Sequence, residues 1–162
     1  MNIAKCIATF GGCGLSRKAP GTVGSLAALV VALPLLKKPR ILATSALVAG
    51  VVGLWASKKA GDGEDHSWIV IDEVAGMWIS LLACAPLPTD ARVGRWGKMK
   101  WPLLAFGLFR LFDIKKPGPV GVLDRRHDAI GIMGDDIVAG VMAAGCIQFL
   151  RAVGKTVKLH RG

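Results

Sequence analysis

The chain has no tyrosine and only 6% aromatic residues, so it lacks the rings on which single-stranded nucleic acid stacks. Its 21 Lys and Arg fall in short clusters between apolar stretches, as in Lys37-Lys38-Pro39-Arg40, instead of forming one stripe on a polar domain. Such clusters suit loops beside anionic lipid headgroups, and no nucleic-acid partner is expected. The four cysteines, Cys6, Cys13, Cys84 and Cys146, are widely spaced, which excludes a disulfide framework and zinc-finger spacing. None precedes an arginine at the gap a cysteine-based phosphatase needs. Sustained apolar–polar alternation is also missing, so a sheet is not expected. The apolar run at the N-terminus is broken by Gly11, Gly12 and Gly14, a poor cleavable leader, and the mature chain is expected to start near Met1.

Acids are scarce as well, 11 in all, and this makes the position of four of them informative. Asp72-Glu73 lies within Ile69-Val70-Ile71-Asp72-Glu73-Val74, and Asp135-Asp136 within Ile132-Met133-Gly134-Asp135-Asp136-Ile137-Val138. An uncompensated carboxylate in such surroundings costs several kcal/mol, so the pairs read as placed chemistry, and oxygen clusters of this kind hold hard metal ions. A hydrophobic fraction of 52% with a mean hydropathy of +0.49 points to the membrane. The 162 residues suit a single domain, with 155–162 as a basic tail.

Charge-free apolar stretches run over 19–36, 41–57, 74–89, 101–109 and 137–150. Each is at or below the roughly 20 residues that span a bilayer. The fourth, even extended to Phe112, makes a helix of only about 18 Å. Helix starts are expected at Pro20-Gly21-Thr22, with Thr22 or Ser25 as cap, and at Ser67. If five segments cross in turn, Asp72-Glu73, Arg110-x-x-Asp113-x-x-Lys116, Asp124-Arg125 and Asp135-Asp136 all arrive at one face. About 10 of the Lys and Arg then lie on that face and about 11 on the other, so the positive-inside rule does not orient the chain.

Arg110, Asp113 and Lys116 repeat a three-residue step and share a helix face. That arrangement makes either a salt-bridge ladder at a helix end or a charged clamp beside the acids. Adjacent acids project about 100° apart on a helix, so one of each pair can face a shared metal; a pair in a first turn could instead satisfy the helix dipole, which suits Asp135-Asp136 better. Gly76 and Gly140 would let a neighbouring helix approach. Carboxylates with a metal, plus Arg and Lys forks, are the apparatus of phosphoryl transfer. Arg125-Arg126 fits either that clamp or ordinary loop charge, and His66 and His127 either a proton shuttle or solvated loops. The stretch from Ala19 to Ser25 could open a helix whose free N–H groups meet a phosphate, or simply be capped. Asp62-Gly63-Glu64-Asp65 lacks the Arg of CDP-alcohol phosphatidyltransferases, and neither Ser-Gly-His, Asp-x-Asp near the N-terminus nor a P-loop is present.

Four stretches, taken together and in order, resemble the phosphatidylglycerophosphatase A family of bacterial membrane lipid phosphatases. They are Pro20-Gly21-Thr22-Val23-Gly24-Ser25, Ile69-Val70-Ile71-Asp72-Glu73-Val74-Ala75-Gly76, Phe109-Arg110-Leu111-Phe112-Asp113-Ile114-Lys115-Lys116-Pro117 and Gly131-Ile132-Met133-Gly134-Asp135-Asp136. The resemblance implies removal of the terminal phosphate of phosphatidylglycerophosphate, with Mg²⁺, at the cytoplasmic face of the inner membrane. It matches Asp72, Glu73, Asp113, Asp135 and Asp136 to the family's acids, and Arg110, Lys116, Asp124 and Arg125 to its other polar positions. Where the family often has a glycine pair, this chain has Asp128-Ala129, which bears on the loop beside Asp135.

The expectation is therefore an all-α, compact polytopic helical membrane protein of about four to five apolar helices, with its polar site at one membrane face. Asp72, Glu73, Asp135 and Asp136 would hold Mg²⁺; Asp72, Asp113, Asp136, Arg110 and Lys116 would carry catalysis; Arg110, Lys116, Asp124, Arg125, Thr22 and Ser25 would meet the substrate. Two other readings stand beside it: a membrane transport or assembly protein built on intramembrane acids, and a helical domain bound peripherally.

Overall fold

The computed structural model describes residues 2–62, 64, 66–86, 95–126 and 128–159, leaving aside the side chains of 95–98, 155 and 157–159. His127, the end of the third apolar stretch and the tip of the basic tail lie outside the described residues. Among those residues the chain is all helical: α1 (Ile3–Ala8), α2 (Pro20–Ala32), α3 (Pro39–Ala60), α4 (Ile71–Leu82), α5 (Arg95–Lys115), α6 (Pro119–Asp124) and α7 (Ala129–Leu159). Among the described residues three stretches are long and apolar enough to cross a membrane: Pro20–Lys37, which is α2 with the 3-10 turn after it, Pro39–Ala60 and Ala129–Gly154.

Helix α4 is the axis of the bundle. At 12 residues it is about 18 Å long, and eight of those residues are buried, among them Val74, Ala75, Met77 and Leu81. Around it pack α7, α3, α2 and α5. Closest approach is to α7 through two glycines. A Cβ on Gly76 would strike the Asp136 carbonyl and the Phe109 ring, and one on Gly140 would strike the Gly76 backbone, so both positions exclude any side chain. On its other side the Trp78 indole N–H donates to the Ala28 carbonyl of α2 at 2.9 Å.

The order of directions is the alternating one expected from the apolar stretches. Gly21 at the start of α2, Glu73 at the start of α4 and Arg110 near the end of α5 meet at one end. Gly53, late in α3, faces Ile71 and Met133 there as well. At the opposite end, the buried Arg151 of α7 donates to the carbonyls of Ala83 (2.7 Å), the residue that caps α4, and Ala85 (3.0 Å), in the turn just beyond it. Its guanidinium also lies over the Trp101 ring, 5.6 Å from the centroid.

Local starts differ from the sequence expectation in three places. Helix α4 begins at Ile71 and not at Ser67, because Ile69 and Val70 are buried as connector and the Val70 N–H is committed to the Ala8 carbonyl at 2.9 Å. Helix α2 is entered through Ala19 at φ 46°, with no side-chain cap; the Ser25 hydroxyl turns inward and donates to the Gly21 carbonyl at 2.7 Å, and Thr22 is exposed. The fourth segment is longer than its apolar stretch, since α5 extends back to Arg95 and tolerates Pro102 inside it.

Candidate active site

Four helix ends and two short connections build the site. Asp72 and Glu73 occupy the first turn of α4, where the free N–H groups favour negative charge. The Asp72 carboxylate accepts the Glu73 backbone N–H at 2.9 Å, and Asp135 accepts that of Asp136 in the same way at 2.9 Å. Asp135-Asp136 sit five residues further into their helix than the α4 pair, so the dipole account suits the first pair, the reverse of the sequence expectation. Asp72 and Asp136 are 7% and 3% exposed, too little for water to stabilise either charge.

Asp72, Glu73 and Asp136 converge, each offering an oxygen within 4.8 Å of the others. Burial in α4 and α7 prevents these carboxylates from separating. Glu73 Oε2 and Asp136 Oδ1 are buried with no hydrogen-bond partner among the described residues, and each such orphan costs about 1–3 kcal/mol, more when charged. Arg110 brings positive charge to the cluster, but its Nη1 lies 2.5 Å from Asp113 Oδ2 and 4.0 Å from Glu73 Oε1. It also donates to the Ser25 hydroxyl at 3.3 Å. One guanidinium shared in this way leaves the three acids short of positive charge. All-oxygen donors, two of them unsatisfied, fit a hard divalent cation.

Cationic side chains and a close backbone wall surround this cluster. Arg110 Nε is buried and has no partner among the described residues, so a donor of the guanidinium fork is left for an incoming acceptor. The wall opposite is Gly21, where an added Cβ would strike Glu73 Oε1 and crowd Arg110 Nη1. In the sequence Gly21 stands out only as part of a motif, and the sign of its close approach is a glycine directly after Pro20 at a helix start.

Lys116 follows α5 with φ 48°, a left-handed conformation that costs a residue with a Cβ about 1–2 kcal/mol. The turn throws its ammonium across to α6 and α7, where it pairs with Asp124 and with Asp135 at 3.0 Å. Partial burial works against its charge, but the hydrogen bonds and fields of Asp124 and Asp135 outweigh burial and hold its pKa above the ordinary lysine value. Asp135 therefore faces Lys116, while Asp136 faces the α4 acids. Arg125 is exposed just beyond α6. His66 stacks on Trp68 with centroids 5.2 Å apart. Asp128 does not join the acids; it accepts the Gly131 N–H at 2.8 Å and pairs with Arg126 at 3.0 Å. The Arg126 hydrogen bond, then that from Gly131, holds its carboxyl below the usual range.

A model of the phosphatidylglycerophosphatase A family matches residues 6–151, nearly the whole of this helical unit. The chain belongs to the phosphatidylglycerophosphatase A family. It is 39% identical over 144 residues to phosphatidylglycerophosphatase A of Escherichia coli K12, covering 86% of this chain and 78% of that protein. The Haemophilus influenzae phosphatidylglycerophosphatase A is 36% identical over 149 residues, covering 88% and 85%. A Bacteroides thetaiotaomicron protein provisionally named a phosphatidylinositol-3-phosphatase is 38% identical over 155 residues, covering 91% and 92%. No solved structure matches. Family membership makes the chain a phosphatase, with apolar helices that suit a membrane protein, and the transport or assembly reading is not favoured.

Proposed function

We propose that this phosphatidylglycerophosphatase A family member hydrolyses phosphatidylglycerophosphate to phosphatidylglycerol and phosphate, with Mg²⁺ as cofactor, at the cytoplasmic face of the inner membrane. The observation that carries the reading is the convergence of three buried carboxylates, two with orphan oxygens, beside a guanidinium with a free buried donor. Asp72, Glu73 and Asp136 would hold the ion. When bound there, Mg²⁺ supplies Lewis-acid polarisation and an acidified water. Arg110 grips the terminal phosphate through its free donor, and Asp113 and Ser25 keep its guanidinium from swinging away. Lys116 stays charged and adds a second positive contact, positioned by Asp135 and Asp124, with Arg125 further out on the surface. The site lies at one end of apolar helices, so a diacylglycerol moiety remains in lipid while its headgroup reaches the acids.

The test is phosphate release from phosphatidylglycerophosphate in detergent micelles, with Mg²⁺ and with EDTA, for the intact protein and for Asp136→Asn. Release that EDTA stops and the variant loses by at least about a hundredfold is expected. No release from folded protein would sink the assignment. Because one relative bears a different name, phosphatidylinositol 3-phosphate is run in parallel; faster turnover of it would replace the substrate while leaving the chemistry of the site intact.

A further inference from the structure

The bundle segregates its charge. Every acid among the described residues, from Asp62 and Glu64 to Asp136, lies at the end that holds the site. Lys37, Lys38 and Arg40 lie at the other end, all exposed, and among the described residues none of them meets a carboxylate. Helix α1 explains what sits above them. With six residues it is about 9 Å long, too short to cover α3, and its last residue is held toward the site end, where the Ala8 carbonyl accepts the Val70 N–H. A groove of about 730 Å³ is left along α3, with Arg40 at one limit and Val52 at the other. Those residues are about 18 Å apart on the helix axis. Val48 lines its side and Phe10 and Trp78, packed edge to face at 6.2 Å, line it further in. Thr44, one turn from Arg40, has its hydroxyl committed to the Arg40 carbonyl at 3.0 Å, and beyond it and Ser45 the α3 wall continues through Val48, Ala49 and Val52.

We propose that this groove is a binding site for one anionic glycerophospholipid of the leaflet away from the acids. Its headgroup phosphate rests on Arg40, with Lys37 and Lys38 alongside, and one acyl chain lies between α1 and α3 with its end near Trp78. Charge and shape select this occupant together. A chain without an anionic head leaves three clustered cations uncompensated, and a free anion leaves the groove empty. No carboxylate of the cluster lines the groove, although Ile71 at its inner limit directly precedes Asp72, and lipid binding there does not depend on which phosphate ester the enzyme hydrolyses.

Native mass spectrometry of the full-length protein, released from nanodiscs of equimolar phosphatidylserine and phosphatidylcholine, tests this. Phosphatidylserine is anionic but has no terminal phosphate for the active site to hold. The protein is expected to retain one phosphatidylserine in preference to phosphatidylcholine. The triple variant Lys37→Gln, Lys38→Gln, Arg40→Gln should lower that preference about tenfold, whereas Lys58→Gln, Lys59→Gln at the site end should not change it. Val48→Trp, which fills the groove from an exposed position, should lose the retained lipid whatever its headgroup. Circular dichroism and thermal unfolding establish that each variant is folded; if the triple variant is not, Arg40→Gln alone is used, with a smaller loss of the same sign. An unchanged preference in the charge variant, an unchanged adduct in Val48→Trp, or a mass showing a second copy of the chain in place of lipid would each overturn the proposal.

Discussion

Asp136 carries two opposed demands. Its carboxylate is buried against Asp72 and Glu73 with one oxygen unpartnered, which destabilises the folded state unless a cation is present. Asp136→Asn should therefore melt no lower than the parent in EDTA, although it loses activity. Mg²⁺ should raise the parent's melting temperature, by about 2.7 kcal/mol of binding free energy at a hundredfold excess over Kd, and leave that of the variant unchanged. Melting curves in detergent read both effects, and a variant that still responds to Mg²⁺ would remove Asp136 from the ion site. Lys116 gives a pH prediction. Its pKa is raised, so its pairing with Asp124 and Asp135 is complete below the ordinary lysine pKa and is lost only as pH climbs through the higher folded value. Between about pH 6 and about pH 9 the residue holds its proton. Lys116→Met should then lower the rate by a similar factor across that range; a profile that changes shape would mean the lysine titrates during turnover.

Between elements, the contact that matters most is α4 on α7. At Gly76 a methyl group would meet backbone, which cannot rotate aside, so Gly76→Ala should cost about 1–3 kcal/mol. At Gly107 of α5 nothing lies within reach of a Cβ, and Gly107→Ala should be neutral or stabilising by up to about 1 kcal/mol. Thermal unfolding of the two variants gives the comparison, and equal effects would contradict the packing described. Sequence made the close approach legible at Gly76 and Gly140, because glycines after acid pairs in apolar helices have few other uses. It made the gathering of Asp72, Glu73, Asp113 and Arg110 legible too, since alternating helices bring odd starts and even ends to one side. The choice of Asp136 over Asp135 for the cluster was not legible: the two project about 100° apart, and only the rotation of α7, set by Gly140 against Gly76, decides between them. Nor was the start of α4, which rests on a hydrogen bond to Ala8, about sixty residues earlier in the chain.

For the molecule as a whole, the shortness of α4 has to be made good by other parts. It ends after Leu82, with carbonyls that would face an apolar environment if nothing reached them. From α7 Arg151 reaches the carbonyls of Ala83 and Ala85 in the turn just past that end, and the match to the family also stops at this residue. The guanidinium is thus a rivet joining the last crossing helix to the central one, and it sets how much of the C-terminus can be removed. A chain cut after Gly154 keeps the rivet and should fold and release phosphate like the full-length protein. A chain cut after Leu150 loses it, and the damage should travel down α4 to Asp72 and Glu73 at the far end of the same short helix, reducing both stability and turnover. A deletion series scored by melting temperature and phosphate release would find the smallest working catalyst, with its boundary drawn by one buried arginine that touches no substrate.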